Sequence, residues 1–187
     1  MQRFVELLGI TEHTRVLDVG GTPDIWALAP VRPRVVFLNE SREEPPATVH
    51  GDGCRLPFRD AAFDVVFSNS VIEHVGDAAR QRAFAAEAAR VGKGYWVQTP
   101  NRRFPVEVHL HTPFIHWLPR EWQRALVPRV AVWRWMVRTT PDRREFYLRH
   151  YLDTIRLLDA GQMQAMFPDS HILSGAKSII AWRAIRT

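Results

Sequence analysis

The chain has 187 residues, of which 46% are hydrophobic and 24% are charged. These values are ordinary for a globular protein, and they exclude a disordered chain, a collagen-like repeat and a disulfide scaffold. Cys54 is the single cysteine, so no disulfide can form within the chain. No apolar run approaches the roughly 20 residues of a membrane-spanning helix. We therefore expect one domain over residues 1–187, in a reducing cytoplasm.

The net charge of +5 is unevenly distributed. Residues 1–90 carry a net charge of −3, whereas residues 91–187 carry +8. All but two of the basic residues are arginine, which the codon bias of a GC-rich genome explains. An anionic partner is accordingly expected to bind the second half of the chain.

The first 100 residues alternate short apolar strands with helices. The predicted strands are 15–19, 35–38, 48–50, 63–67 and 95–98. Helices are predicted over 4–8, over 24–29, and from a cap at Asp77 to about Val91, where Gly92 offers a stop. This alternation predicts a parallel sheet with both faces covered.

After Pro100 the pattern changes, and we interpret residues 101–154 as an insertion with one or two helices. Its helical apolar stripe contains Trp122, Leu126, Val130, Trp133 and Val137, and Pro128 is expected to kink or split that helix. Asp159 and Gln162 then resemble a capping box that opens a helix to Phe167. Residues 171–173 and 178–182 are predicted to form a closing pair of strands.

The strongest motif is the end of the first strand, where Asp18 is followed by Gly20 and Gly21. Glycine lets the backbone approach a ligand closely, and the first strand–helix turn of a parallel sheet is the usual ligand crevice. The spacing Gly-x-Gly-x-x-Gly of a dinucleotide site is absent, and an acidic residue before the glycines suits a ligand with an ammonium group. The alternative is a tight turn with a structural role only.

Polar residues follow the other predicted strands at the same edge of the sheet. They are Asn39 and Glu40, the segment 52–58, Ser68 and Asn69, and the segment 99–101. Because parallel strands end at a shared edge, we expect these residues to line one rim with the glycine turn.

These motifs together resemble the class I S-adenosylmethionine-dependent methyltransferases, and most nearly the bacterial group of ubiquinone and menaquinone biosynthesis methyltransferases. The resemblance rests on residues 16–21, on the Leu-Pro-Phe of 52–58 followed by 63–66, and on 72–75. It covers residues 4–101 well and 155–182 loosely. It implies a Rossmann-like α/β fold with a mostly parallel central sheet and a helical insertion after the fifth strand.

The resemblance also implies roles for individual residues. Those implied to bind S-adenosylmethionine are Asp18, Gly20 and Gly21 at the methionine end, Asn39 or Glu40 at the ribose, Asp52, Gly53 and Cys54 at the adenine, and Ser68 and Asn69 beside the sulfonium. The chain departs from the family at Thr22 and Pro23, which replace later glycines, and at Asn39, where an acidic residue is usual.

The implied function is methyl transfer to an O, N or C nucleophile of a small molecule. A hydroxyl acceptor would need a base, and His74, His109 and His111 are the candidate catalytic residues. Two alternatives stay open. The altered glycine motif and the short segment before the first strand suit a methyltransferase-like partner protein without turnover, whereas a nicotinamide oxidoreductase is disfavoured by the glycine spacing.

Glu107, His109 and His111 alternate along the chain and could face one metal ion, or they could simply hold the insertion together. Because no cysteine cluster or fourth ligand accompanies them, we expect no metal. His74 could equally anchor the loop after the fourth strand, and Cys54 is interpreted as a packing residue.

Tryptophans and arginines are concentrated in the insertion. We expect it to form the acceptor pocket, with Arg120, Arg124 and Arg134 steering an acceptor that is anionic and lipid-like, and to make peripheral contact with a membrane. The alternative is a lid whose arginines are only solvated. No recognition motif for nucleic acid accompanies the charge, so a nucleic-acid partner is not expected.

Overall fold

A seven-stranded sheet forms the centre of the structure, a computed structural model that describes residues 1–40, 48–130 and 140–186. Its strands are β1 (Arg15–Val19), β2 (Arg34–Asn39), β3 (Thr48–His50), β4 (Phe63–Asn69), β5 (Gly92–Pro100), β8 (His171–Ser174) and β9 (Ser178–Arg183). The spatial order is β3-β2-β1-β4-β5-β9-β8. The first five strands are parallel, and β9 runs antiparallel to both of its neighbours. The predicted mostly parallel α/β sheet is thus confirmed.

Two further strands, β6 (Val106–Glu107) and β7 (Thr112–Pro113), form a small antiparallel pair in the insertion. The helices are α1 (Gln2–Leu8), α2 (Pro23–Ala27), α3 (Ala78–Val91), α4 (Arg120–Val130), α5 (Pro141–Thr154) and α6 (Ala160–Met166), with a short 3₁₀ turn at Ile115–Trp117. No helix among the described residues is long and apolar enough to cross a membrane.

The predicted helix starts have a clear local cause. The Asp77 carboxylate accepts from the backbone N–H groups of Ala79 and Arg80, at 2.9 Å each, and Asp159 forms a reciprocal capping box with Gln162. Each satisfies N–H groups that a helix start leaves without partners. The expected end of the helix is confirmed, since α3 stops at Val91 with Gly92 as its C-cap; Gly92 has an extended backbone with φ −98° and begins β5 directly.

Hydrophobic clusters cover the two faces of the sheet, as its buried strands require. One contains Phe84, Ala88 and Val91 of α3 with Met163 of α6, and the other packs Phe4 of α1 and Trp26 of α2 against Phe67 and Trp96. A third cluster joins the insertion to the residue that follows it and includes Leu110, Val127, Leu148, Tyr151 and Ile155. These clusters hold the carboxyl ends of β1, β2 and β4 at one edge.

The apolar stripe predicted for α4 is not the face of the helix that is buried. Trp122 is 61% exposed and Val130 is also exposed, whereas Gln123 and Val127 are buried. Gln123 tolerates burial because its amide donates to the carbonyl oxygen of Leu118 at 2.7 Å. The helix passes Pro128 without ending there, and Trp133 and Val137 lie outside the described residues.

Candidate active site at the carboxyl edge of the sheet

The first strand ends in a carboxylate that is only half satisfied. Asp18 is fully buried, and the indole N–H of Trp26 donates to Asp18 Oδ2 at 2.7 Å. Among the described residues, nothing donates to Asp18 Oδ1. Burial raises the pKa of Asp18 to about 7, and the Trp26 hydrogen bond offsets this only in part. A buried oxygen without a donor favours a cation or a bound donor beside it.

The two glycines after Asp18 make a turn that side chains could not occupy. Gly20 has φ +78°, and its N–H donates to the carbonyl of Leu38 at 2.8 Å. A Cβ at Gly20 would overlap the side chain of Val71, and a Cβ at Gly21 would overlap the carboxylate of Asp18. The glycine pair therefore has a structural cause within the protein and keeps the backbone open at the edge of the sheet.

A cavity of about 100 Å³ lies beside this turn. It brings together four residues predicted to bind the cofactor, Gly20, Asn39, Glu40 and Gly53. The Asn39 amide donates to the carbonyl oxygen of Gly21 at 3.1 Å, so the ends of β1 and β2 are tied together. Candidate base His74 also lines the cavity, together with Val71 and Val75.

Asp52 follows β3 and forms an ion pair. Its carboxylate contacts the guanidinium of Arg80 through both oxygens, at 3.1 Å each, and accepts from the N–H of Cys54 at 2.8 Å. Burial works against the charge of Asp52, but the Cys54 and Arg80 contacts outweigh it and lower the pKa of this carboxyl. Burial and the nearby Asp52 raise the pKa of the Cys54 thiol to about 11, which suits the packing role.

Ser68 and Asn69, at the end of β4, lie in different surroundings. Ser68 is fully buried, and its hydroxyl donates to the carbonyl of Val19 at 3.1 Å. Ser68 thus holds β1 in place. Asn69 lines a separate cavity of about 490 Å³, together with Gln98 of β5 and residues of α1 and α2.

The three candidate histidines do not gather in one place. The rings of His74 and His109 meet edge to face with centroids 5.1 Å apart. His111 is exposed with φ +51° and has no place in the cluster of ligand atoms found among the described residues. The alternating trio of Glu107, His109 and His111 is therefore not assembled there. Glu107 is buried instead, and its Oε1 lies 2.7 Å from Nδ1 of His109.

Glu73 lies close to the two histidines, and it was not among the catalytic residues predicted from the sequence. Glu73 is fully buried and its Oε2 accepts from the hydroxyl of Thr99 at 2.9 Å, whereas its Oε1 lacks a partner among the described residues. Burial raises the pKa of Glu73 to about 7 and lowers the pKa of His74 to about 4. Burial also acts against the His109 cation, but the contact with Glu107 raises the pKa of His109 overall.

The only sequence signal for Glu73 was an acidic residue inside the apolar run 71–75. Residues 72–75 belong to one of the motifs that carry the family resemblance. The contact between Glu73 and His109, however, depends on how the insertion packs against the loop after β4. The N–H of Arg156, just after the insertion, donates to the carbonyl of Glu73 at 2.8 Å, and Gln81 donates to the carbonyl of Arg156 at 2.8 Å.

A further cavity, of about 410 Å³, lies between the insertion, α3 and α6. Three arginines line it, Arg102, Arg120 and Arg156. Arg120 is half-buried and donates to Gln123 Oε1 at 3.1 Å and to the carbonyl of Ile155 at 2.5 Å, and its burial and the charge of Arg156 lower the pKa of Arg120. Arg124 instead lies on the surface and pairs with Asp153, and Arg134 lies outside the described residues.

The chain shares this architecture with known proteins. Residues 24–94 match the sequence model of a methyltransferase-domain family. No curated protein matches the sequence. Among solved structures, an S-adenosylmethionine-dependent methyltransferase from Methanosarcina mazei aligns with a TM-score of 0.60 at 11% identity, over 100% of this chain and 99% of that chain.

Two other solved structures give the same picture of the fold. A protein from Rhodobacter sphaeroides, proposed to be a zinc-dependent alcohol dehydrogenase, aligns with a TM-score of 0.67 at 10% identity, over 99% of this chain and 88% of that one. A phosphoethanolamine N-methyltransferase from Haemonchus contortus was solved with phosphomonomethylethanolamine and S-adenosylhomocysteine bound. It aligns with a TM-score of 0.52 at 14% identity, over 91% of this chain and 37% of that chain.

The sheet order, with its single antiparallel strand, and these likenesses identify the Rossmann-like fold of class I methyltransferases. Residues 24–94 match the methyltransferase-domain model, and the Haemonchus contortus enzyme that shares the fold is itself bound to S-adenosylhomocysteine. The residues present suit S-adenosylmethionine, because nothing in the described parts of the chain donates to the buried Oδ1 of Asp18, and the glycine turn beside it carries no side chains.

Proposed function

We propose that this chain transfers the methyl group of S-adenosylmethionine to an O, N or C nucleophile of a small anionic molecule. The observation that carries the proposal is the buried Oδ1 of Asp18, which has no partner among the described residues and lies in the strand that leads into the glycine turn of a cavity lined by Gly20, Asn39 and Glu40. A buried carboxylate with a free oxygen is matched to the ammonium group of the cofactor's methionine end. When bound, the cofactor supplies a methyl group on a sulfonium, which is already activated for transfer.

The chain's own residues would then hold the two reactants. Asp18 would accept from the ammonium group, Asn39 or Glu40 from the ribose hydroxyls, and Asp52 from the adenine amino group. Because the methyl donor is already activated, most of the catalysis is positioning, which a rigid sheet edge provides. For a hydroxyl acceptor, His74 is a candidate base, since it lines the cavity and burial keeps its pKa low enough for a neutral ring.

The acceptor's anionic character is supported by the cavity of about 410 Å³. Arg102, Arg120 and Arg156 all line it, and Asp77 is its one carboxylate among the described lining residues. The residues 74–78 link the two sites, because His74 lines the cavity at the glycine turn and Asp77 lines the arginine cavity. An acceptor with a phosphate or carboxylate group fits this charge.

A lipid-like acceptor and peripheral membrane contact belong to the same proposal. Several large apolar side chains of the insertion are exposed, namely Phe114, Trp117, Trp122, Val130 and Phe146. The exposed Arg124 and Arg129 lie on α4, within two turns of Trp122. Aromatic rings with basic neighbours suit the surface of an anionic membrane. The resemblance to quinone-biosynthesis methyltransferases agrees with an apolar acceptor.

Calorimetric titration with S-adenosylmethionine tests the function. We expect binding at micromolar levels, and Asp18→Asn should weaken it about 10- to 150-fold, because a charge-assisted hydrogen bond contributes about 1.5–3 kcal/mol. Asp24→Asn is the matched control, since Asp24 is exposed in α2. Methyl transfer is then followed from radiolabelled cofactor into the small molecules of a cell extract. Binding without any transfer would favour the partner protein without turnover.

A further inference from the structure

A second polar cluster lies where the loop after β4 meets the insertion. Glu73, His74 and His109 each direct one ligand atom into it, and these atoms all lie within 4.8 Å of one another. Glu73 Oε1 is 4.0 Å from His74 Nε2. The three residues come from segments 35 positions apart in the sequence, so the fold and not a local motif assembles them.

The carboxylate of Glu73 is the unexplained group of this cluster. It is fully buried and Thr99 fixes its Oε2, yet within the described parts of the chain Oε1 has no hydrogen-bond partner. A buried carboxylate oxygen that faces two imidazoles without a donor needs a positive partner. The arrangement is unfavourable as it stands and becomes favourable once a cation is bound between the three side chains.

Residues next to the cluster hold its side chains in a fixed orientation, as the hydrogen-bond partners of metal ligands do. Glu107 Oε1 holds Nδ1 of His109 at 2.7 Å, and its Oε2 accepts from the N–H of Leu110 at 2.6 Å. This fixes the ring of His109 and leaves Nε2 as the free nitrogen. Metal-binding histidines commonly have such a carboxylate on the nitrogen that does not bind the ion.

We propose that Glu73, His74 and His109 bind a divalent transition-metal ion such as Zn²⁺, with Glu107 and Thr99 as positioning residues. Two imidazoles and one carboxylate are the ligand set of zinc sites that keep a fourth position open. Two nitrogen ligands disfavour Mg²⁺ and Ca²⁺, which prefer oxygen. With bonds of about 2.0–2.2 Å to the ion, the ligand atoms must approach one another by about 1 Å, which side-chain rotation can supply.

The place of the cluster indicates what the ion could do. His74 also lines the cavity at the glycine turn, so the ion would sit at the border of that cavity. With its ring nitrogen bound to the ion, His74 would no longer act as the base. The metal would instead lower the pKa of a hydroxyl or thiol that reaches its open position, and the proton would leave to solvent. That role rests on the proposed methyl transfer, whereas metal binding itself does not.

The test uses the full chain, stripped with chelator and titrated with ZnCl₂ in a calorimeter, with the Co²⁺ absorption spectrum as a second readout. We expect one Zn²⁺ per chain at micromolar levels or tighter and a Tm that rises with Zn²⁺. His109→Ala and His74→Ala should each weaken binding more than 100-fold, and Glu107→Gln should weaken it 10- to 100-fold. Thermal unfolding without metal checks that each variant folds.

His111→Ala is the matched control, because His111 is exposed and only two residues from His109. It should bind Zn²⁺ like the wild type. Absence of Zn²⁺ binding in the folded wild type, or equal losses for His111→Ala and His109→Ala, would overturn the proposal. S-adenosylmethionine is titrated in parallel, so that failure of the metal site and failure of the proposed methyl transfer are read separately.

Discussion

Trp26 donates its indole N–H to Asp18 across the first turn, at 2.7 Å from Nε1 to Oδ2. This one contact joins β1 to α2 and leaves the second oxygen of Asp18 buried without a donor among the described residues. The sheet edge thus carries a carboxylate whose charge the free protein does not compensate. Its pKa of about 7 is a direct consequence of that burial.

Asp18 should make the stability of the protein depend on pH. Its pKa rises from 3.8 to about 7 on folding, so the folded state holds the proton more tightly than the unfolded state. Stability from this group is fully present below about pH 4 and is lost as the pH rises to about 7, by up to about 4 kcal/mol. Urea unfolding from pH 4 to 8 measures this slope. Glu73, whose pKa burial also raises to about 7, adds a slope of the same sign, so Asp18→Asn should reduce the slope and not abolish it. An unchanged slope in that variant would contradict the assignment.

Gly20→Val should abolish binding of S-adenosylmethionine. The position needs φ +78°, which costs a branched residue about 1–2 kcal/mol, and the new side chain would displace Val71 from the wall of the cavity. Calorimetric titration of the folded variant measures the loss. Gly161→Ala in α6 is the control, since its Cβ would meet only ordinary contacts, and it should bind normally. Normal binding by Gly20→Val would exclude the turn from the site.

Much of this edge could be predicted from the sequence because its causes are local. The strands β1, β2 and β4 are short and mostly apolar, and the caps at Asp77 and Asp159 are satisfied within three residues. Parallel pairing then places the polar residues after each strand at one edge. The Asp18 turn therefore follows from short stretches of sequence.

The remainder depends on contacts between distant residues. The buried face of α4 could not be predicted from apolar spacing. The polar Gln123 is buried because its amide finds a partner in the carbonyl of Leu118, while the more apolar Trp122 faces solvent. Glu73 and His109 meet only after the insertion folds back, so alternation along the chain indicated the trio with His111 instead. The spacing of apolar residues predicts which face of a helix is buried on average, but it does not predict which polar side chains find hydrogen-bond partners.

Asp52→Ala should weaken binding of S-adenosylmethionine while the fold persists. If the carboxylate accepts from the adenine amino group, its loss costs about 1–3 kcal/mol of binding free energy, or roughly 5- to 150-fold in Kd. Because Asp52 also pairs with Arg80, the control is Arg80→Ala, which removes a partly exposed ion pair that contributes about 0–1 kcal/mol. Calorimetry on both variants separates the two effects. Equal affinities for the wild type and Asp52→Ala would remove Asp52 from the site.

The outer face of α4 has the features of a membrane-binding surface. Trp122 is exposed, and Arg124 and Arg129 lie within two turns of it on the same helix. Arg124 pairs with Asp153 at 3.0 Å, but both side chains are more than half exposed, so the pair contributes little to stability. Its charge therefore remains available to an anionic surface.

The double variant Arg124→Glu and Arg129→Glu should bind anionic liposomes at least 10-fold more weakly than the wild type. Each basic residue near such a surface contributes about 1 kcal/mol of attraction, and the wild-type binding should itself weaken as salt rises. Co-sedimentation with vesicles of anionic and of neutral lipid measures both effects. Arg186→Glu is the matched control, because Arg186 pairs with Asp169 at the same 3.0 Å and with nearly the same exposure, at the other end of the chain. Wild-type protein that ignores anionic liposomes at low salt would leave the insertion as a lid over the acceptor alone.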